Sequence, residues 1–189
     1  MKVSYYRHVG DKEGAVVNFR KILTNIAQQR FDQDVSLIRT TESQAKKDAF
    51  KKGLPCFTPA GVFADGQTID GCTEYNYLIV LDIDPDIPVA KGKKVPQEGT
   101  LEDWVAAAQN DPFTYAAFIS PSGNGVKVFV KLEEGSGVWD NFKDFHYDAF
   151  QGLAAHYMDN YNIVLDRSGK NINRLCFVSS DSNLYINNS

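Results

Sequence analysis

The order of apolar and polar positions along the chain predicts an alternation of strands and helices. Short apolar runs bounded by turn-forming residues are typical of strands. They occupy residues 3–9, 57–64, 77–84, 115–120, 126–132, 163–166 and 174–178. Since the helices between them do not follow a strict βαβ repeat, the pattern predicts an α+β (mixed α/β) fold around a partly antiparallel sheet.

Helices are predicted where apolar residues recur three and four positions apart. These segments are residues 18–31, 41–52, 100–108 and 139–161. In the second, Thr41 and Gln44 have the spacing of a capping box, and Leu54-Pro55 ends the helix. The last helix has an inner apolar stripe of Phe142, Phe145, Ala149, Leu153 and Tyr157. Residues 85–99 are rich in Pro, Gly and Lys and predict an exposed loop.

Length and composition favour one soluble globular unit. The chain has 189 residues, of which 43% are hydrophobic and 23% charged, which is enough for one sizeable core. We predict a single domain, with an N-terminal α/β part (residues 1–70) packed on a sheet part (residues 71–189). The net charge of −4 provides no overall basic field, so a polyanion has to be bound by a local patch or a metal.

Cysteine and histidine usage excludes several kinds of site. The three cysteines, Cys56, Cys72 and Cys176, are widely spaced and contain no Cys-x-x-Cys pair, so neither a disulfide framework nor a zinc site is predicted. The histidines have no ligand spacing and are expected to be structural or surface residues. No secretory signal or membrane-spanning run is present. We therefore expect a cytoplasmic protein with no membrane partner.

The strand at residues 77–84 ends in two carboxylates, Asp82 and Asp84. Side chains two positions apart on a strand point to the same face, so these like charges lie side by side. A divalent cation makes such a pair tolerable, as Mg²⁺ does beside substrate phosphates. A solvated turn is the structural alternative.

Paired aspartates also occur in calcium loops and in some phosphatases. A calcium loop is excluded because Ile87 and Lys93 stand where its glycine and glutamate belong. A phosphatase of the haloacid dehalogenase type also resembles this segment, although that family has Thr or Val where Asp86 stands. It stays open as a distant alternative.

A Gly-rich turn, Ser120-Pro121-Ser122-Gly123-Asn124-Gly125-Val126-Lys127, joins two predicted strands. Glycines allow backbone N–H groups to approach an anion, and a lysine supplies a compact positive charge for phosphate. The spacing does not match a Walker loop, in which Ser or Thr follows the lysine. A plain hairpin turn remains the alternative.

A cluster of lysines makes the second predicted helix basic; its members are Lys46, Lys47, Lys51 and Lys52. Such a cluster is either a solvated helix face or a contact surface for a nucleic-acid backbone. Further along the chain, Asp166 ends another apolar run and Arg174 follows after a polar loop. The chain thus contains, in order, paired aspartates, a Gly-rich cationic turn, a lone aspartate and an arginine.

That series resembles the archaeo-eukaryotic primase (primase-polymerase) superfamily. Within it, the chain is most similar to the VirE N-terminal-like domains of bacterial mobile-element and phage-type proteins, in which a Leu-Pro phrase and a Gly-x-Phe phrase precede the aspartate pair. Here these are Leu54-Pro55 and Gly61-Val62-Phe63. The resemblance covers roughly residues 50–187 and implies a primase-polymerase-like fold with an RRM-like sheet and flanking helices.

The resemblance also implies a site and an activity. Asp82, Asp84 and Asp166 would be catalytic ligands of Mg²⁺ or Mn²⁺, and Arg174 would bind a phosphate or position Asp166. The nucleotide phosphates would be held by the turn residues Ser120, Ser122, Gly123, Gly125 and Lys127. Lys127 stands where active primases commonly have histidine, so nucleotide binding is better supported than synthesis.

The partners implied are nucleoside triphosphates, a single-stranded DNA template and a helicase module in the same or another chain. The template would run past the lysines at 46–52, together with Lys91, Lys93 and Lys94. Three functions stay open. They are a primase-polymerase-like nucleotidyltransferase acting in replication of mobile or phage-type DNA, a catalytically weak nucleotide- or DNA-binding domain of a larger replication protein, and a metal-dependent phosphohydrolase.

Overall fold

The computed structural model describes residues 1–64, 68–133 and 141–187, and its architecture is α+β. The helices are α1 (Phe19–Ala27), α2 (Asp32–Thr40), α3 (Gln44–Gly53), α4 (Leu101–Asn110) and α5 (Phe142–Tyr161). The strands are β1 (Lys2–Tyr6), β2 (Ala15–Asn18), β3 (Cys56–Thr58), β4 (Gly61–Phe63), β5 (Cys72–Tyr75), β6 (Leu78–Ile83), β7 (Asp86–Ala90), β8 (Lys93–Pro96), β9 (Thr114–Ile119), β10 (Val126–Lys131), β11 (Cys176–Phe177) and β12 (Tyr185–Ile186). Two short 3₁₀ turns span Ile69–Gly71 and Arg167–Lys170.

Two four-stranded sheets form the framework. The first has the strand order β11-β3-β1-β2, and the second has the order β12-β9-β10-β6. Two further strand pairs, β4–β5 and β7–β8, lie outside these sheets. All pairings among the described strands are antiparallel, so the predicted partly antiparallel sheet is in fact two antiparallel sheets.

Strand β6 is buried on both faces, which explains its continuous apolar sequence. Leu78 and Val80 belong to a core cluster formed by both sheets and α1. Their neighbours Ile79 and Leu81 are buried in a second cluster with residues of α4 and α5. Because side chains alternate along a strand, Asp82 continues the face of Leu78 and Val80 and lies at the end of the core between the sheets.

The caps of α4 and α5 place these helices against the second sheet. Thr100 begins α4 with a capping box, in which its hydroxyl accepts from the N–H of Asp103 and the Asp103 carboxylate accepts from the N–H of Thr100. The helix predicted to start at residue 100 is thus confirmed. Asn141 caps α5, and Asn162, with φ +54°, follows its last residue. Residues 139–140 of the predicted helix lie outside the described residues. None of the described helices has both the length and the apolarity needed to cross a bilayer.

The predicted capping box of Thr41 and Gln44 is wrong, because a helix that was not predicted, α2, ends at this point. Thr41 follows α2, and its hydroxyl donates to the carbonyl of Leu37 at 2.7 Å. Helix α3 begins only after Ser43. Strand β2 was not predicted either, and it ends at Asn18, which caps α1. The helix predicted at residues 18–31 is confirmed as α1, although α1 ends at Ala27.

Residues 85–99 are not a loop, since most of them form the β7–β8 hairpin. The side chains of the hairpin are mostly exposed, so backbone hydrogen bonds hold it together, and Gly92 supplies the positive φ of +73° that its turn requires. The strand predicted at residues 57–64 is split into β3 and β4. The strand predicted at residues 163–166 is extended chain without a ladder, because the side chain of Gln97 binds the N–H and C=O of Val164.

Candidate functional site

A cleft of about 730 Å³ opens at the carboxyl end of β6. Its walls are formed by α3, the β7–β8 hairpin, the turn between β9 and β10, and the extended segment that ends at Asp166. Asp84 and Asp166 both line the cleft. Asp82 is buried and does not line it. The structure therefore brings the three predicted aspartates to one end of the sheet, but only two of them face the open space.

Asp82 forms a buried ion pair with Lys127 across β6 and β10. The two residues are register partners, and Lys127 Nζ lies 2.6 Å from Asp82 Oδ1. Their exposed fractions are 8% and 1%. Burial alone raises the pKa of Asp82, but the charges of Lys127 and Arg174 outweigh it and lower this pKa below its ordinary value. Lys127, expected to bind phosphate, is thus held as the counterion of Asp82.

Arg174 connects Asp82 with Asp166. Its Nη2 donates to Asp82 Oδ2 at 2.8 Å and to Asp166 Oδ2 at 3.1 Å. The backbone adds a second connection, since the N–H of Asp166 donates to the carbonyl of Asp82 at 3.0 Å. The Asp166 carboxylate also accepts from the N–H and hydroxyl of Ser168. In these contacts Arg174 positions Asp166 and binds the inner aspartate at the same time.

Asp84 differs from the other two aspartates because its charge is not compensated by a direct partner. Its carboxylate forms no hydrogen bond or ion pair with any residue in the described ranges, although it is half-buried. Burial raises the pKa of Asp84, and the negative charges of Asp82 and Asp166 raise it further, against the lowering effect of Lys127 and Lys51. A half-buried carboxylate without a counterion is costly unless a cation is bound, so Asp84 is the strongest candidate for a ligand contact.

The Gly-rich turn lies beside Asp84, and its hydroxyl groups bond to one another. Ser120 Oγ is 3.0 Å from Ser122 Oγ, and Ser122 Oγ donates to Asn124 Oδ1 at 2.6 Å. Ser122 and Asn124 line the cleft, whereas Ser120 is buried. The N–H of Gly123 is used within the turn, where it donates to the carbonyl of Ser120.

Gly125 allows the turn to pack closely against the end of β6. A Cβ atom at this position would lie 2.6 Å from the carbonyl oxygen of Ile83 and 3.2 Å from Asp84 Oδ1. A side chain cannot be accommodated there without a backbone shift. The predicted phosphate-binding turn therefore has a second role, which is to set the position of Asp84.

Helix α3 presents two lysines to the cleft. Lys47 and Lys51, one helical turn apart, both line it and are half-buried, whereas Lys46 and Lys52 are exposed and do not line it. The Lys51 ammonium lies 5.6 Å from the centroid of the Phe177 ring, and burial lowers its pKa. The basic cluster is thus divided into a pair that faces Asp84 and a pair that faces away.

Arg39 is a site residue that the sequence did not indicate, because α2 was not predicted. Its Nη2 donates to the carbonyls of Ser120 and Ser180, both at 3.2 Å. It also packs on Gly123, where a Cβ atom would lie 3.2 Å from Arg39 Nε. The φ of Gly123 is +80°, so glycine is favoured here for both space and conformation. Arg39 braces the turn from outside the cleft.

The donor groups fit a cation that is bound together with phosphates and not a cage made of protein ligands alone. The described residues contain no group of three or more acidic, His or Cys side chains arranged to hold a metal, since Asp82 is taken by Lys127 and Arg174. Mg²⁺, however, is commonly bound through one or two carboxylates together with substrate phosphates. Asp84 lines the cleft without a bonded partner among the described residues, and Asp166 lines it as a partly exposed carboxylate that is also bonded to Arg174 and Ser168. That mode needs no third carboxylate.

Comparison with known proteins gives one match. The family model "BT4734-like, N-terminal domain" matches residues 49–186, which include the three predicted aspartates, the Gly-rich turn, Lys51 and Arg174. The chain belongs to the BT4734-like N-terminal domain family. The match begins within α3, so Lys47 lies just outside it. No curated protein and no solved structure matches the chain significantly.

Proposed function

We propose that this BT4734-like domain binds a metal-bound nucleoside triphosphate in the cleft and is a primase-polymerase-like nucleotidyltransferase domain. The observation that carries the proposal is the arrangement of charge around Asp84. Carboxylates at the end of β6 stand opposite Lys47 and Lys51 of α3 in one cleft, whose lining also includes Asp48 of α3 and Asp86 and Lys94 of the hairpin. A free anion would be repelled by the carboxylates and a free cation by the lysines. A divalent cation carrying a polyphosphate satisfies both.

In this proposal, each wall of the cleft has a separate task. Asp84 and Asp166 would hold the cation, which, when bound, neutralises phosphate charge and lowers the pKa of a coordinated hydroxyl. Lys47 and Lys51 would bind the phosphate oxygens from the opposite wall. Ser122 would contact the nucleotide at the edge of the cleft. Asp82 would not contact the ligand; it would hold Arg174 and the end of β6 in position.

The resemblance to primase-polymerases supplies the remaining parts of the proposal. It points to a nucleoside as the carrier of the phosphates, to single-stranded DNA as template, and to replication of mobile or phage-type DNA beside a helicase module. The order of the motifs along the chain supports these parts, as does the proximity of the paired aspartates, the Gly-rich turn, Asp166 and Arg174 at one end of the second sheet.

A second candidate is nucleotide binding without turnover, and one observation favours it. Asp82 is occupied by Lys127 and Arg174, so one of the three expected metal ligands would have to exchange a buried ion pair for a cation. That exchange has an energetic cost. A domain that binds nucleotide or DNA within a larger replication protein needs no such exchange.

Two measurements test the proposal. Calorimetric titration with ATP and with the other nucleoside triphosphates should show binding that requires Mg²⁺ or Mn²⁺ and is lost in Asp84→Asn. The control variant Asp34→Asn, on the exposed surface of α2, should bind normally. Binding that is unchanged by chelator or by Asp84→Asn would contradict the proposal. Incorporation of labelled nucleotides on a primed template then separates the candidates. Synthesis supports the first, binding without synthesis the second, and phosphate release without a template effect a phosphohydrolase.

A further inference from the structure

A second depression, the α5 groove, adjoins the cleft. It has a volume of about 340 Å³, and one wall is the face of α5 formed by Tyr147, Gln151, Ala154 and Met158. These residues follow one another at helical spacing, so they form a continuous stripe. The opposite wall contains Arg167 and Lys170 of the second 3₁₀ turn. The two depressions share Val164 and Leu165, so they lie next to each other on the surface.

The chemistry of the groove differs from that of the cleft. Of the described residues that line it, the charged ones are Arg167 and Lys170, and both are exposed cations. A purely cationic surface is a local exception in a chain with a net charge of −4. The groove also exposes apolar and aromatic groups, since Tyr147 is 44% exposed and Met158 is 46% exposed.

In the groove, the cation of Lys170 lies over one face of the Tyr147 ring. The Lys170 ammonium lies 5.8 Å from the centroid of the Tyr147 ring. Proteins that bind single-stranded nucleic acid use this combination, because bases stack on exposed rings while the phosphates between them pair with cations. A duplex would present its phosphates without accessible base faces and would not use Tyr147.

We propose that the α5 groove binds single-stranded nucleic acid and leads it past Val164 into the cleft. Tyr147 stacks a base, and Arg167 and Lys170 contact neighbouring phosphates. The inference rests on the proposed function, because the nucleic-acid strand is directed toward the cleft only if the nucleotide binds there. It differs from the path expected along the lysines at 46–52 of α3, of which Lys46 and Lys52 lie outside both depressions.

The test measures the binding of fluorescein-labelled oligo(dT) by anisotropy. Tyr147→Ala should weaken binding about tenfold, whereas Tyr147→Phe should retain it. Arg167→Gln combined with Lys170→Gln should reduce the slope of log affinity against log salt by about 1.4, the value for two contacts with a single strand. Matched controls are Phe113→Ala, an aromatic residue 53% exposed outside the groove, and the double variant Lys46→Gln/Lys52→Gln.

The outcomes separate this inference from the proposed function. Wild-type binding in the groove variants, a larger loss in the Lys46/Lys52 double variant, or no oligo(dT) binding by the wild-type protein would each overturn the inference. In the last case, the groove would fit a protein partner. A parallel titration with Mg²⁺-ATP tests the cleft alone. Groove-dependent oligo(dT) binding without nucleotide binding would support the groove and refute the proposed function. All substituted side chains in the groove are exposed, and thermal unfolding should show unchanged stability.

Discussion

The replacement of Lys127 by methionine separates a structural lysine from a phosphate-binding lysine. In the structure, Lys127 Nζ is 2.6 Å from Asp82 Oδ1, and both side chains are almost fully buried. Coulomb's law with an effective dielectric constant of about 20 gives an attraction of about 6 kcal/mol at this distance. Lys127→Met removes one cation from buried Asp82 and leaves this carboxylate paired with Arg174. Removal of one partner of a buried ion pair costs about 3–5 kcal/mol. Lys127→Met should therefore lower the free energy of unfolding by about that amount.

The assay is urea unfolding followed by circular dichroism, with a thermal scan beside it. For a protein of this size, the loss corresponds to a decrease in Tm of roughly 6–20 °C. The pair Lys143–Asp70 provides a matched control, because its Nζ–Oδ1 distance is 2.7 Å while its side chains are 42% and 92% exposed. Lys143→Met should cost less than about 1 kcal/mol. The difference between the two variants isolates the effect of burial.

A double-mutant cycle makes the test specific to the pair. Asp82→Asn and Lys127→Met together should cost about 2–3 kcal/mol less than the sum of the single changes, because Asp82→Asn removes the buried negative charge that Lys127 compensates. The pKa of Asp82 is lowered in the folded state, so the contribution of the pair is complete above about pH 4 and is lost as the pH falls through the folded pKa. If Lys127→Met left stability unchanged and abolished nucleotide binding, the structural role would be refuted and Lys127 would be a phosphate ligand.

The remaining predictions concern the cleft. As the pH is lowered, affinity for the Mg²⁺-nucleotide should begin to fall at a higher pH than it would with an ordinary carboxylate ligand. The reason is that the pKa of Asp84 is raised and its protonated form cannot hold the cation. A pH series by calorimetry tests this, and an affinity that does not change with pH would contradict it. Lys51→Gln should weaken nucleotide binding about tenfold through the loss of a charge-assisted hydrogen bond, whereas Lys52→Gln should leave it unchanged. Equal affinities of the two variants would show that Lys51 does not bind the phosphates. Gly125→Ala should cost about 1–3 kcal/mol of stability, since its Cβ would lie 2.6 Å from a backbone oxygen; a neutral result in urea unfolding would show that the turn relaxes.

The sequence predicted best those elements whose signal lies within their own residues, such as an apolar run or a capping residue. Strand β6 reads as an apolar run because it is buried on both faces, and α4 carries its capping signal in Thr100. Helix α2 gave a weak signal because only Val35 and Ile38 are buried along its nine residues. The β7–β8 hairpin gave none, because it is held by backbone bonds and its side chains lie in solvent.

The candidate site likewise combines features that follow from local sequence with features that depend on contacts distant in sequence. The position of Asp82 and Asp84 at a strand end follows from local sequence. The pairing of Asp82 with Lys127 depends on the register of β6 against β10, and register is set by contacts that are distant in sequence. A basic helix could likewise be predicted, but the division of its lysines into Lys47 and Lys51 on one side and an exposed pair on the other depends on how α3 packs against the rest of the fold.

The binding of a cation at Asp84 together with a nucleotide is tested most directly by NMR with Mn²⁺, which broadens the resonances of nearby nuclei. With Mn²⁺ and a nucleoside triphosphate present, amide signals of the end of β6, the Gly-rich turn and residues around Asp166 should disappear, and those of α4 should remain. The same experiment on Asp84→Asn should show little broadening. Broadening elsewhere on the protein, or equal broadening in Asp84→Asn, would contradict a nucleotide site in this cleft.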